Sequence, residues 1–183
     1  MNSSYNNNIN FGDIISTITF LKKPKKIVEC GILEGYSLSK FIENSSINTS
    51  IDAYDIFDEF NGNHAVKKNI IELFSQHKNV NINYGDFYKV WKKYPNKSID
   101  ILHIDIANNG DVYDFMFQKY VDKLKDDGII IMEGGSKDRD NIEWMIKYNK
   151  PKIQPILNKY NNKYNIHTIG VIPSITVITK NIQ

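Results

Sequence analysis

The residues best suited to chemistry begin with the motif Glu-x-Gly-x-x-x-Gly-x-Ser over residues 29–37, which follows a short apolar run. Gly31 and Gly35 let the backbone turn sharply and approach a ligand, and a helix that begins near Tyr36 offers free N–H groups. The spacing differs from the Gly-x-Gly-x-x-Gly of dinucleotide sites and from a phosphate-binding P-loop. The acid Glu29 disfavours phosphate and suits a cationic or hydroxyl-bearing ligand. Alone, the motif is equally consistent with an ordinary strand-to-helix turn.

Two further acids follow the next two apolar runs. Asp55 lies about 20 residues beyond the glycines, where nucleoside-binding α/β folds hold the ribose hydroxyls. A capping residue at a strand end is the alternative for Asp55. Asp86 precedes Phe87, so that the carboxylate could hydrogen-bond an adenine amino group while the aromatic ring covers a face of the base. Asp86 is equally suited to cap a helix over residues 87–94, and the two roles are compatible.

A third group of polar residues lies at the ends of two later apolar runs. His103 and Asp105 are two positions apart, so both side chains point to the same face of a strand, and either is a candidate general base or metal ligand. For His103 alone, a hydrogen-bonded core histidine is the alternative. Glu133 ends the following run, where it and Asp105 could share a Mg²⁺ ion. The alternative for Glu133 is a solvent-facing position in a glycine-rich turn.

These residues require a framework in which strands and helices alternate. Apolar runs predict strands over residues 25–32, 51–57, 79–84, 99–106, 128–133, 164–171 and 174–180. Amphipathic stretches predict helices over residues 12–22, with Asp13 as the cap, and over 36–43, 65–77, 111–124 and 138–148. The alternation predicts an α/β fold with a parallel sheet covered on both faces. Only Ile172 and Pro173 separate the last two runs, which predicts an antiparallel hairpin at the carboxyl end.

Composition limits the classes of protein. The 183 residues suit a single domain over residues 1–183, in which residues 1–11 are expected to be a loosely ordered lead-in. A net charge of +2, with 23 basic and 21 acidic residues, gives no reason to expect a nucleic-acid surface. No stretch is apolar enough to span a membrane. The single cysteine, Cys30, fits a cytoplasmic protein, and its apolar neighbours favour a buried side chain over a nucleophile.

Taken in order, the motif at 29–37, Asp55, the Gly85-Asp86-Phe87 segment, residues 100–106 and residues 124–135 resemble the class I S-adenosylmethionine-dependent methyltransferases. The small bacterial O-methyltransferases are the most similar group, and the resemblance covers residues 12–180. It implies a three-layer Rossmann-like sandwich with a mostly parallel seven-stranded sheet and an antiparallel C-terminal hairpin. It also implies a set of residues around S-adenosylmethionine. They are Glu29, Gly31, Gly35, Tyr36 and Ser37 for the methionine and ribose side, Asp55 and Ile56 for the ribose, and Asp86 and Phe87 for the adenine.

By the same resemblance, Asp105 faces the site of methyl transfer and, with His103, orients or deprotonates a hydroxyl of a small-molecule or sugar acceptor. Metal-dependent relatives carry an acidic pair after the fifth strand, whereas here Gly134 follows Glu133, so one ligand of a Mg²⁺ site at Asp105 and Glu133 is missing. A binding protein or assembly subunit without catalysis is one alternative. A nicotinamide-dependent oxidoreductase is another, against which the absent Gly-x-Gly-x-x-Gly speaks. A homodimer is the candidate assembly.

Overall fold

The seven predicted strands form one sheet in a computed structural model, which describes residues 10–59, 63 and 65–181. The strands are β1 (Lys26–Cys30), β2 (Ser50–Asp55), β3 (Val80–Tyr84), β4 (Ile99–Ile104), β5 (Leu124–Glu133), β6 (Tyr164–Gly170) and β7 (Ser174–Lys180). Their order across the sheet is β3-β2-β1-β4-β5-β7-β6. The first five strands in this order, β3, β2, β1, β4 and β5, run parallel to one another. Strand β7 is antiparallel to both β5 and β6. The predicted mixed sheet with a C-terminal hairpin is confirmed.

The order of the strands creates a switch point between β1 and β4. From β1 the chain proceeds outward through β2 and β3, then returns to β4 on the other side of β1 and continues to β5. The connections at this point leave in opposite directions, so a crevice opens at the carboxyl ends of the two strands. The acids that the sequence places at strand ends therefore converge on one edge of the sheet.

Helices cover both faces of the sheet. They are α1 (Phe11–Lys22), α2 (Tyr36–Asn44), α3 (Lys67–Leu73), α4 (Phe87–Val90), α5 (Gly110–Lys119), α6 (Glu143–Lys147) and α7 (Gln154–Tyr160). Asn10 caps α1, because its Oδ1 accepts a hydrogen bond from the N–H of Gly12 at 2.9 Å. The prediction of Asp13 as the cap is wrong. Asp13 instead lies in the first turn, where a carboxylate suits the helix dipole.

Neighbouring residues on the central strands point into two separate cores. Ile27 and Ile101 are fully buried against α1, α2 and α3, whereas Val28 and Leu102 are fully buried against α4, α5 and α7. This alternation explains why both strands are continuously apolar, because each of their faces meets a layer of helices. The predicted three-layer α/β architecture is confirmed.

Several predicted boundaries differ from the structure. Strand β5 begins at Leu124 rather than at residue 128, so the predicted helix over 111–124 ends earlier, at Lys119. The predicted helix over 138–148 is divided into a 3₁₀ turn and α6, because Ile142 between them is extended. Helix α7 was not predicted.

The first residues of the predicted lead-in, 1–9, lie outside the described residues, and Asn10 and Phe11 belong to the start of α1. Within the described ranges, every helix is too short or too polar to cross a bilayer.

Candidate active site

A cavity of about 950 Å³ opens at the switch point, beyond the carboxyl ends of β1 and β4. Its inner walls come from the loop between β1 and α2, the ends of β2 and β3, and the first turn of α1. Its outer walls come from residues 105–109, the turn after β5 and the start of β7. This position and volume are typical of ligand sites in open α/β sheets.

The loop after β1 needs glycine because it contacts the loop after β4. Gly31 has a φ of +95°, and a Cβ built on it would lie 1.8 Å from the carbonyl oxygen of Asp105. The amide of Asp105 in turn donates to the carbonyl of Cys30 at 2.9 Å. Gly35 has a φ of +83° and precedes α2, where a Cβ would meet the ring of Phe74 at 2.6 Å. The two glycines therefore shape the inner wall of the cavity.

Glu29 lies behind this wall and hydrogen-bonds to two residues that line the cavity. It is fully buried and does not line the cavity, whereas Ser37 and His103 do. Its Oε1 accepts hydrogen bonds from Ser37 Oγ at 2.5 Å and from His103 Nδ1 at 3.0 Å. A carboxylate oxygen can only accept, so Nδ1 of His103 is the donor in this hydrogen bond. Glu29 thus orients two residues of the site, and its own contact with a cofactor stays a prediction.

Asp55 joins the loops that follow β1 and β2. Its Oδ2 accepts from the amides of Ile32 at 2.8 Å and Leu33 at 3.2 Å. Its Oδ1 accepts from the amide of Phe57 and from Asn63 Nδ2, both at 2.7 Å. A carboxylate has about four acceptor positions, and all are used here. Asp55 is therefore buried and ties the two loops together, and both it and the neighbouring Ile56 line the cavity. A contact of Asp55 with a ribose stays a prediction.

The opposite end of the cavity carries the residues predicted for an adenine. Asp86 lines the cavity and also caps α4, since its Oδ1 accepts from the amide of Tyr88 at 2.9 Å. Both roles considered from the sequence are therefore compatible with the geometry. The ring of Phe87 is buried and stacks on Tyr120 with 5.1 Å between centroids. The exposed aromatic ring at this end belongs to Tyr88.

Asp105 lies between the two ends of the cavity. Its side chain is exposed to the cavity, and desolvation by the surrounding protein raises its pKa. Glu133 and Glu29 raise the pKa further, whereas His103 and Arg139 lower it. A carboxyl with a raised pKa at the floor of a cleft is a candidate general base.

Glu133 is paired with a residue that the sequence analysis did not consider. Its Oε1 accepts from Arg139 Nε at 2.7 Å and its Oε2 from Arg139 Nη2 at 3.0 Å, a bidentate pair. A Mg²⁺ ion at Glu133 would have to displace this guanidinium. Asn108 is held by hydrogen bonds at both ends of its amide, because Nδ2 donates to the carbonyls of Ile104 and Glu133 and Oδ1 accepts from the amide of Ile106. Among the described residues, no three His, Cys, Asp or Glu side chains are placed to share a metal. The residues do not fit the predicted site at Asp105 and Glu133.

Cys30 also lines the cavity but is not suited to act as a nucleophile. Its side chain is buried, as predicted, and burial raises the pKa of the thiol to about 12. The thiol is therefore protonated at neutral pH.

The outer wall contains two more residues that sequence reasoning missed. Trp144 and Lys150 line the cavity together with Arg139, whose guanidinium lies 5.7 Å from the centre of the Trp144 ring. One signal was available, since Arg139 is the only arginine among the 23 basic residues of the chain. Trp144 in α6 and Lys150 beyond its end carry no comparable signal, because tertiary contacts place them at the cavity.

The comparisons with known proteins agree with this geometry. A family model described as "Methyltransferase domain" matches residues 28–133, which is more than half of the chain. The protein therefore belongs to this methyltransferase family. The matched range runs from β1 to the end of β5 and includes the glycine loop, Asp55, Asp86 and Asp105. No curated protein matches the chain.

Solved methyltransferases share the fold over nearly the whole chain. An O-methyltransferase from Bacillus cereus in complex with SAH has 14% sequence identity and a TM-score of 0.70, over 97% of this chain and 84% of that one. The SAH-bound methyltransferase PaMTH1 from Podospora anserina has 16% identity and a TM-score of 0.67, over 100% and 80%. A methyltransferase from Geobacter sulfurreducens has 16% identity and a TM-score of 0.66, over 94% and 79%. At these identities the likeness concerns the fold.

Proposed function

We propose that the protein binds S-adenosylmethionine in the cavity at the switch point and transfers its methyl group to a hydroxyl of a small molecule or sugar. The observation that carries this proposal is the convergence of the glycine loop, Asp86 and Asp105 on one cavity of about 950 Å³. Membership of a methyltransferase family and the SAH bound to two proteins of the same fold support it.

The cofactor lies along the inner wall in this proposal. Gly31 and Ser37 line this wall and face its methionine part, while Gly35 shapes the turn into α2 behind them. Ile56 packs against the adenosine, while Asp86 accepts a hydrogen bond from the adenine amino group. Tyr88 takes the aromatic contact expected of Phe87, since the Tyr88 ring is the exposed one. Asp55 acts by holding the loops in place, because its acceptor positions are already used.

Asp105 and His103 are the residues of the protein that act on the acceptor hydroxyl in this proposal. The cofactor supplies a methyl group on a positively charged sulfur, which needs no further activation. The bound cofactor would supply this methyl group to the acceptor oxygen and leave as S-adenosylhomocysteine, and the carboxylate of Asp105 would accept the hydroxyl proton. A raised pKa makes that carboxylate a better proton acceptor than an ordinary Asp. Glu29 holds His103 in place by a hydrogen bond, and the charge of His103 limits the rise in the pKa of Asp105.

Calorimetric titration with S-adenosylhomocysteine tests the proposal. We expect saturable binding at one site per chain, and no comparable heat with NADH under the same conditions. Binding of NADH in preference to S-adenosylhomocysteine, or no binding of either, would overturn the proposal. Binding of S-adenosylhomocysteine without methyl loss from S-adenosylmethionine over a wide range of acceptors would favour a binding protein without catalysis.

Metal removal is expected to have no effect on the protein. The Glu133 carboxylate is paired with Arg139, so only the carboxylate of Asp105 is left to bind a divalent cation, and a single carboxylate binds one weakly. Titration of the S-adenosylhomocysteine complex with MgCl₂ should give no saturable heat, and EDTA should leave the unfolding temperature unchanged. Saturable Mg²⁺ binding that disappears in Glu133→Gln would contradict this assignment. Lys97 and Asp126 form an exposed pair, so Asp126→Asn is a control for nonspecific loss of charge.

The sequence also predicts the absence of a nucleic-acid partner, a homodimer as the assembly and a cytoplasmic location. These three stay predictions. A hydroxyl as the methyl-accepting group is part of the proposal and is tested with it.

A further inference from the structure

The outer half of the cavity contains a lysine that is not part of a salt bridge among the described residues. The charged side chains that line it are Asp105, Glu133, Arg139 and Lys150. Glu133 and Arg139 form a bidentate pair and cancel each other. Asp105 is required as the base of the proposed reaction. Within the part of the chain that the structure describes, Lys150 has no ion-pair partner. The positive charge of Lys150 is therefore not taken up in a salt bridge at this wall.

Arg139 adds an unused donor at the same wall. The residue is 7% exposed, and its Nη1 is buried without a hydrogen-bond partner among the described residues. The other two guanidinium nitrogens bind Glu133, and Nη2 also donates to the carbonyl of Asn108 at 3.3 Å. A buried N–H without an acceptor is costly, so a ligand oxygen that reached Nη1 through a small movement of the wall would stabilise it.

Trp144 lies between these two cations along the chain and contacts both. Lys150 Nζ lies 5.6 Å from the centre of its ring, and the guanidinium of Arg139 lies 5.7 Å from it. The ring is half-buried and lines the cavity. It offers a flat apolar surface on which a planar or cyclic ligand can pack. The cations beside it would attract a negative group attached to such a ring.

We infer that the methyl acceptor is an anion, whose ring packs on Trp144 and whose carboxylate or phosphate is held by Lys150 and Arg139. This inference rests on the proposed function and adds the charge class of the substrate. The hydroxyl that accepts the methyl group lies toward Asp105, and the negative group lies toward Lys150. An aromatic acid and a sugar phosphate share this chemistry, and the experiment distinguishes them.

The test compares how tightly a charged ligand and a neutral ligand with the same ring bind to the complex of the protein with S-adenosylhomocysteine. One arm uses 3,4-dihydroxybenzoate and 3,4-dihydroxybenzamide, and the other uses glucose 6-phosphate and glucose. We expect the anion of at least one pair to bind about tenfold or more tightly than its neutral counterpart. The Lys150→Met variant keeps the aliphatic stem and should lose most of this preference.

Lys147→Met is the matched control. Lys147 belongs to the same segment and lies 5.5 Å from the ring of Tyr148, but it does not line the cavity. This variant should keep the preference for the anion. Equal binding of both members in each pair, no binding of any of the four, or a preference unchanged in Lys150→Met would overturn the inference. Intact binding of S-adenosylhomocysteine in the same samples would show that the proposed function survives such a result.

Discussion

Replacement of Asp105 by Asn is expected to reduce the rate of methyl transfer by about 10²–10⁴-fold, the usual contribution of a general base. The change keeps the size of the side chain and removes the proton acceptor. Since Asp105 faces the cavity between the cofactor wall and the acceptor wall, binding of S-adenosylhomocysteine should change by less than about threefold. Single-turnover release of S-adenosylhomocysteine and calorimetry measure the two quantities.

Asp111→Asn provides the control for the loss of one carboxylate. Asp111 lies in the first turn of α5, close in sequence to Asp105, but it is exposed and does not line the cavity. Its variant should keep the wild-type rate within about twofold, because only a weak helix-dipole contact is lost. A wild-type rate in Asp105→Asn would remove Asp105 from the mechanism, whatever the control shows.

The pH dependence follows from the raised pKa of Asp105. The base acts only when ionised, so the rate should fall as the pH decreases through a value above 3.8, the ordinary pKa of an Asp side chain. A raised pKa also means that the folded state binds this proton more tightly than the unfolded chain does. The ionised carboxyl therefore destabilises the fold at neutral pH, and the cost disappears as the pH falls through the raised pKa. Asp105→Asn should unfold at the same or a higher temperature than wild type at pH 7.

Gly31→Ala is expected to abolish binding of S-adenosylhomocysteine. The backbone there has a φ of +95°, which costs an alanine about 1–2 kcal/mol, and the added Cβ would lie 1.8 Å from the Asp105 carbonyl oxygen. The loop after β1 and the loop after β4 must therefore separate. Ligand at 100 times its dissociation constant stabilises a protein by about 2.7 kcal/mol, so the wild-type unfolding temperature should rise clearly on addition of ligand. The variant should show little or no rise.

Gly128→Ala separates this local effect from a general loss of stability. A Cβ at Gly128 would lie 2.5 Å from Leu124 Cγ and 3.1 Å from the Ile99 carbonyl oxygen, far along β5 from the cavity. This variant should unfold at a lower temperature and still be stabilised by the ligand. If Gly31→Ala were stabilised as much as wild type, the glycine loop would not form the cofactor wall.

The strands could be predicted because their apolar runs are bounded by glycine, proline and polar residues. The start of β5 was missed because residues 125–127 are polar and read as a turn. In the structure they form the exposed beginning of the strand, beside an irregularity in its pairing with β4 between Ile99 and Ile101. Helix α7 was missed because its position depends on Asp140, whose carboxylate accepts from the amides of Ile153 and Gln154. Such a contact between distant residues leaves no periodic pattern in the sequence.

The acids of the site could be predicted as a group, since each follows a parallel strand and such strands end at one edge of the sheet. Their partners could not. Local sequence does not show that Glu29 turns away from the cavity toward Ser37 and His103. It also does not show that amide N–H groups already occupy the acceptor positions of the Asp55 carboxylate. The pairing of Glu133 with Arg139 depends on the turn after β5, where Gly134 adopts a φ of +90°.

A crystal structure with S-adenosylhomocysteine tests the central claim most directly. The account predicts the adenosine beside Ile56, Asp86 and Tyr88, the amino-acid part along the glycine loop, and the sulfur directed toward Asp105. Electron density for the ligand outside this cavity, or a cavity occupied while the sulfur points away from Asp105, would contradict it.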